Sequence, residues 1–179
     1  MIDIRPATMR DVSFLAANMR EQDWREVHAS APTDDKAEAG ILCHMASRFA
    51  WTVWIKGDPV CAFGFAQMGL PWLWSAWAFG TDRIKRAIPA VTRFGRETAS
   101  RMLLDAGARR CEIRSIADHD LAHRWLQGLG AHRECELPEY GRNGETFVLY
   151  SWTIEDWKHV LYFAPRHQDS GPAACPVPR

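Results

Sequence analysis

Three groups of side chains in this 179-residue chain have types and spacings that could do chemistry. His119-Asp120-Leu121-Ala122-His123 sets two imidazoles four residues apart, which one helical turn would bring to the same face. The spacing is that of a His-Glu-x-x-His zinc motif, but Asp is a shorter arm than Glu and no third ligand follows usefully. The plainer alternative is a helix N-terminus carrying polar surface histidines. Arg83, Lys85 and Arg86, with Arg93 and Arg96 beyond Pro89, form a cationic stretch. It is either a phosphate site or a solvated loop and helix face. Glu26, His28 and Asp34 lie around the connection between the first two expected helices, where an exposed polar connection competes with a proton acceptor. The thiols offer less. Cys61, Cys111 and Cys135 fall in expected strands as small buried hydrophobes. Cys43 and His44 are adjacent on an expected helix and so diverge by about 100°. Trp72, Trp74 and Trp77 share one short strand, with the first two on one face and Trp77 on the other, as core or as the wall of an apolar pocket or partner site.

The elements that must position these groups follow from patterning. A short strand over Ile2–Arg5 leads into a helix from Met9 to about Arg25, opened by Thr8 and Asp11 and carrying Val12, Leu15, Ala16 and Met19 inward. Asp34 and Asp35 open a second helix with Ile41, Leu42, Met45 and Ala46 on one side. Three runs rich in β-branched and aromatic residues, 49–56, 60–68 and 72–79, are separated by turn residues and read as a β-meander. A basic loop precedes a third helix that Gly107 ends. A strand follows over Arg109–Ala117, then a fourth helix capped by Asp118, then two strands around Gly141-Arg142-Asn143-Gly144. A strand–helix–strand unit after an antiparallel meander implies an α/β fold: one domain over 1–165, a mixed, mostly antiparallel sheet and helices on both faces. Proline, glycine and small residues in 166–179 predict a disordered tail.

Composition excludes some classes. Lys+Arg 22 and Asp+Glu 22 cancel, against a chain that coats nucleic acid. No apolar run approaches the ~20 residues of a membrane span, so no membrane partner is expected. The first residues lack the blocks of a signal peptide, and five cysteines without regular spacing fit reduced thiols, so a cytoplasmic location is expected.

The element order, with three stretches, resembles the GNAT superfamily of acyl-CoA-dependent N-acyltransferases. The stretches are Ile4-Arg5-Pro6-Ala7-Thr8 with Asp11 and Leu15, Gly107 to Ile113, and Ala117 to Leu126 with Leu129-Gly130. The resemblance spans roughly residues 2–152. Gly80-Thr81-Asp82, Arg93-Phe94-Gly95-Arg96 and Arg124 to Gly130 are further similar to small acetyltransferase-like proteins of tailed phages, some of them internal virion proteins.

The resemblance implies acetyl-CoA as cofactor. Arg83, Lys85 and Arg86 would meet its phosphates, and Phe79 and Trp125 would lie beside it. His119, where the family carries an Asn, is the implied acid–base group, with Glu26 and His28 bordering the acceptor cleft. Three departures stand against activity. The loop Thr81 to Pro89 contains no glycine to cradle pyrophosphate, Leu126 stands where the family often has a Tyr acid, and Trp72 to Phe79 carries no carboxylate. Two functions follow. One is transfer of an acetyl group to an amine acceptor; the other is a catalytically silent relative that binds a host or virion protein. A homodimer is the expected assembly to test.

Overall fold

The computed structural model describes residues 1–163, and the expected tail over 166–179 lies outside the described residues. One seven-stranded sheet, ordered β1-β2-β3-β4-β5-β7-β6, carries the fold. Strands β1 (Ile2–Pro6), β2 (Ser47–Ile55), β3 (Asp58–Gln67) and β4 (Leu73–Gly80) pair antiparallel in sequence order, which is the expected meander. Strand β5 (Arg110–Ile116) joins β4 in parallel, and β7 (Phe147–Thr153) then lies between β5 and β6 (His132–Leu137). The mixed α/β class is thus as the patterning implies. No helix among the described residues is long and apolar enough to cross a membrane.

The sheet splits part-way along its length. Only Leu73, Trp74 and Ser75 of β4 pair with β5, opposite Arg110, Cys111 and Glu112. Past that point the two strands part, leaving a gap between Ala76–Gly80 and Ile113–Ile116.

The helices depart from expectation in instructive ways. The helix expected over Met9–Arg25 is two: α1 (Met9–Ala17), capped by Thr8 as foreseen, and α2 (Glu21–Ser30). The chain breaks because the Arg20 amide donates to the Gly80 carbonyl at 2.9 Å, which ties the joint to the end of β4. Helix α3 (Lys36–Ala46) starts at Asp35, but its buried face is Ala39 and Gly40, while Leu42 and Met45 are exposed. Close approach explains this: a Cβ at Gly40 would stand 2.5 Å from that of Ala16. After a 3₁₀ turn over Asp82–Arg86 the chain runs as α4 (Ile88–Phe94), a π-helical turn (Gly95–Ala99) and α5 (Ser100–Asp105). Helix α6 (Asp120–Gly128) has His119 rather than Asp118 at its N-cap position, and the Asp118 carboxylate instead pairs with Arg25 at 2.7 Å. Helix α7 (Ile154–Phe163) closes the described chain.

Two further expectations fail. Trp72 precedes β4 and is exposed, whereas Trp74 is fully buried. Cys135 is exposed because β6 is an edge strand, while Cys61 and Cys111 are buried as expected. Burial raises the pKa of two thiols, Cys43 to about 11 and Cys61 to about 12, which disfavours the reactive thiolate.

Candidate functional site

Helix α2 lies across the open end of the gap and sends two carboxylates into it, one turn apart. Asp23 is 5% exposed; its Oδ2 accepts from the Gly80 amide at 2.8 Å and its Oδ1 pairs with Arg20 at 2.7 Å. Burial raises its pKa above the ordinary carboxylate value, against the lowering pull of Arg20 and the Gly80 amide. Glu26 faces β5. Its Oε2 accepts three donors: the Ser115 hydroxyl at 2.7 Å, the Ile116 amide at 3.0 Å and His119 Nδ1 at 3.0 Å. The two carboxylates thus bond the C-terminal ends of the two diverging strands.

This pattern orients the ring of His119. A carboxylate only accepts, so Nδ1 carries the proton it shares with Glu26, and Nε2 is the nitrogen left without a partner. His119 is 2% exposed, and that Nε2 has no hydrogen-bond partner. It lines a narrow cleft of about 50 Å³ together with Ala78, Ile113, Leu121 and Trp125. In its neutral form an imidazole held this way offers Nε2 as a proton acceptor.

The gap also presents a donor. Gly80 turns both its amide and its carbonyl toward α2, and Trp72 turns its carbonyl toward the Arg110 amide. Two-residue alternation between these points turns the Ala78 amide into the gap as well, beyond the last β4–β5 pair. Ala78, Ile113 and Glu26 line this cleft and also a second, wider one on the α2–α3 side. The two clefts therefore share these residues as a common wall.

Several solved structures share this architecture. An N-acetyltransferase from Staphylococcus aureus Mu50 superposes with a TM-score of 0.67 at 12% identity, covering 86% of this chain and 98% of that one. An acetyltransferase of the GNAT family from Bacillus anthracis gives 0.63 at 13% identity, covering 86% and 95%. The aminoglycoside acetyltransferase AAC(6')-Ib, solved in complex with coenzyme A, gives 0.63 at 14% identity, covering 89% and 98%. The chain has the GNAT fold. At these identities the likeness is one of fold. No protein-family model matches the chain, and no curated protein does.

Within the GNAT fold the residues singled out from sequence separate into two groups. His119 and Glu26 come together, 93 residues apart in the chain. Trp125 joins them in the narrow cleft, half-buried, with its indole donating to Thr92 at 3.0 Å. His28 does not. It lies on α2 rather than on a connection, and its Nε2 meets Asp34 at 2.8 Å beside Arg142, away from both clefts. His28 and Arg142 together hold the Asp34 carboxyl below its ordinary range. Phe79 is buried under α1 with Val12 and Leu15, and one part of it walls the wider cleft. Among the cations, Arg83 is already paired with Asp58 at 2.7 Å, whereas Lys85 and Arg86 are exposed. His123 lies one turn beyond His119, near the Tyr150 ring, and burial lowers its pKa. Among the described residues no group of three or more His, Cys, Asp or Glu side chains could hold a metal. Asp23, Ser115 and Ala78 escaped the sequence reading. The one signal for Asp23 was its i, i+3 spacing from Glu26.

Proposed function

We propose that the protein is an acyl-CoA-dependent N-acyltransferase with His119 as the group that moves the proton. The observation that carries this is the convergence on Glu26, which engages Nδ1 and leaves Nε2 of His119 buried and unpartnered in a residue that lines the narrow cleft. The fold neighbours support it; their members are acetyltransferases, one of them solved with coenzyme A. An acetyl thioester would enter the narrow cleft, with Lys85 and Arg86 as the cations open to its phosphates and Trp125 against its arm.

In this reading the Ala78 amide donates to the thioester oxygen and stabilises the negative charge that grows there. The amine nitrogen forms its bond to the acyl carbon and the carbon–sulfur bond breaks. His119 Nε2 takes the proton from the nitrogen, and Glu26 holds the resulting imidazolium. The same imidazolium returns the proton to the departing thiolate, which makes a Tyr acid unnecessary. The test is thiol release from acetyl-CoA across an amine panel, with titration calorimetry of CoA binding. His119→Asn should keep CoA affinity and lose turnover. Equal turnover and an unchanged pH profile in that variant would remove His119 from the mechanism.

A second reading has its own observation. Met68, Leu70 and Trp72 expose apolar side chains around the β3–β4 turn, as a surface that binds another protein would. A silent GNAT-fold chain, as a virion component or a binder of a host protein, would show neither CoA binding nor thiol release.

A further inference from the structure

The wider cleft carries information about what would be acylated. It holds about 380 Å³ between α2, α3 and the sheet, and it shares Glu26, Ala78 and Ile113 with the narrow cleft. Its walls are Val27, Leu42, Trp77, Phe79, Tyr140 and Phe147. Trp77 stacks on Phe79 with ring centres 5.2 Å apart, and its indole donates to Ser47 at 2.7 Å, so this wall is fixed.

Charge in the cleft is sparse and already arranged. Glu26 and Arg114 are the only charged side chains among the described residues that line it. Glu26 has spent Oε2 on three donors, which leaves Oε1 as the one anionic acceptor at the inner end. Arg114 donates to Glu112 at 2.9 Å and lies 5.7 Å over the Tyr140 ring, and Glu112 also accepts from Arg110 at 2.6 Å. A substrate carboxylate would have to draw Arg114 out of this pairing. A polycation would bring several charges to a wall with one carboxylate, leaving the rest desolvated against aromatic rings.

Resting on the acyl-transfer reading for the use of the site, we infer that the acceptor is a primary monoamine on an apolar, aromatic-sized body with no second charge. Its ammonium group is drawn to Glu26 Oε1 and releases one proton to solvent before attacking as the free amine, and its body packs between Trp77 and Phe147. Leu42 and Met68, both partly exposed at the rim, extend the apolar surface outward. The cleft discriminates against amino acids by lacking a free cation and against polyamines by lacking further carboxylates.

Binding can be read without catalysis. Protein carrying ¹⁵N-labelled tryptophan is titrated with 2-phenylethylamine, phenylalanine and spermidine while the Trp77 indole resonance, assigned with Trp77→Phe, is followed. 2-Phenylethylamine should shift it saturably and bind about ten-fold or more tighter than the other two. Leu42→Glu, on the exposed edge of α3, should weaken 2-phenylethylamine and strengthen spermidine. Equal or tighter binding of phenylalanine or spermidine, or no shift with any of the three, would overturn the assignment. Thiol release from acetyl-CoA is measured alongside. Saturable 2-phenylethylamine binding without release removes the acyl-transfer reading and leaves the cleft's selectivity standing. Release with spermidine but not with 2-phenylethylamine removes the selectivity and leaves acyl transfer.

Discussion

The inner end of the β4–β5 gap and the cationic loop over 81–87 are built on opposite principles. At the inner end, groups from α2, β5 and the start of α6 converge from 89 to 93 residues apart, and His119 is all but sealed from solvent. The loop holds its charges within a few residues of each other and spreads them over the surface, with one already neutralised by Asp58. Proximity in sequence made the loop conspicuous, yet the group with directed chemistry is the one assembled by the fold. Exposed cations act as point charges on long arms; a buried imidazole held by a carboxylate has a direction.

If that contrast is right, the largest effect belongs to the buried pair. His119→Ala should lower kcat by about 10²–10⁴-fold while CoA affinity stays within a factor of two or so. Glu26→Gln should lower kcat less and keep a pH-dependent rate, because the imidazole remains while the carboxylate that orients it is gone. Steady-state kinetics across pH separates the two.

Next comes the frame that holds the pair. A Cβ at Gly80 would lie 2.7 Å from the Val60 carbonyl and 2.8 Å from the Cys61 Cβ, atoms of the neighbouring strand with little room to retreat. Gly80→Ala should cost about 1–3 kcal/mol, a fall of several degrees in Tm by calorimetry. An unchanged Tm would mean that the end of β4 is softer than its packing implies.

Stability against pH sharpens the contrast between buried and open charge. Asp23 has its pKa raised by burial, so the stability it contributes is present below its ordinary value near 3.8 and is lost as pH rises through the raised value. Glu134, on edge strand β6, is lowered by its bonds to Arg110 and Ser151, so its contribution is present above about 4.5 and is lost as pH falls. Urea denaturation from about pH 3 to about pH 7 should show Asp23→Asn and Glu134→Gln changing the slope of stability in opposite senses.

The smallest effect belongs to the loop. Alanine at Arg83, Lys85 and Arg86 together should weaken CoA only a few-fold, with the loss shrinking at high salt, and should leave stability within about 0.5 kcal/mol. A hundred-fold loss would make the loop the principal anchor and reverse the comparison.

Much of the frame was legible. The meander, the parallel return of β5 and the Thr8 and Asp35 caps follow from alternation, turn residues and capping groups, which act over a few residues. The split of Met9–Arg25 was not: its local mark is the single residue Asn18, whose side chain donates to the Phe14 carbonyl, and its distant tie is the Gly80 carbonyl, 60 residues on. The buried face of α3 was hidden likewise, because ranking side chains by size overlooks the contact that Gly40 permits. His119 and Glu26 were named separately, one through resemblance and one as a residue beside the acceptor cleft. Their bond, and the part of Ser115, depend on how β5 and α2 are set against each other.

Helix α2 therefore does more than supply an acid. Through Asp23 and Glu26 it shields the last amides of two strands that no longer shield each other, Gly80 on one and Ile116 on the other. Those two protons should exchange with solvent as a pair, at the rate at which α2 lifts away, and more slowly than strand ends open to water. Each lifting also separates His119 from its carboxylate, so the exchange rate of two backbone amides becomes a clock for how often the proton-moving pair comes apart.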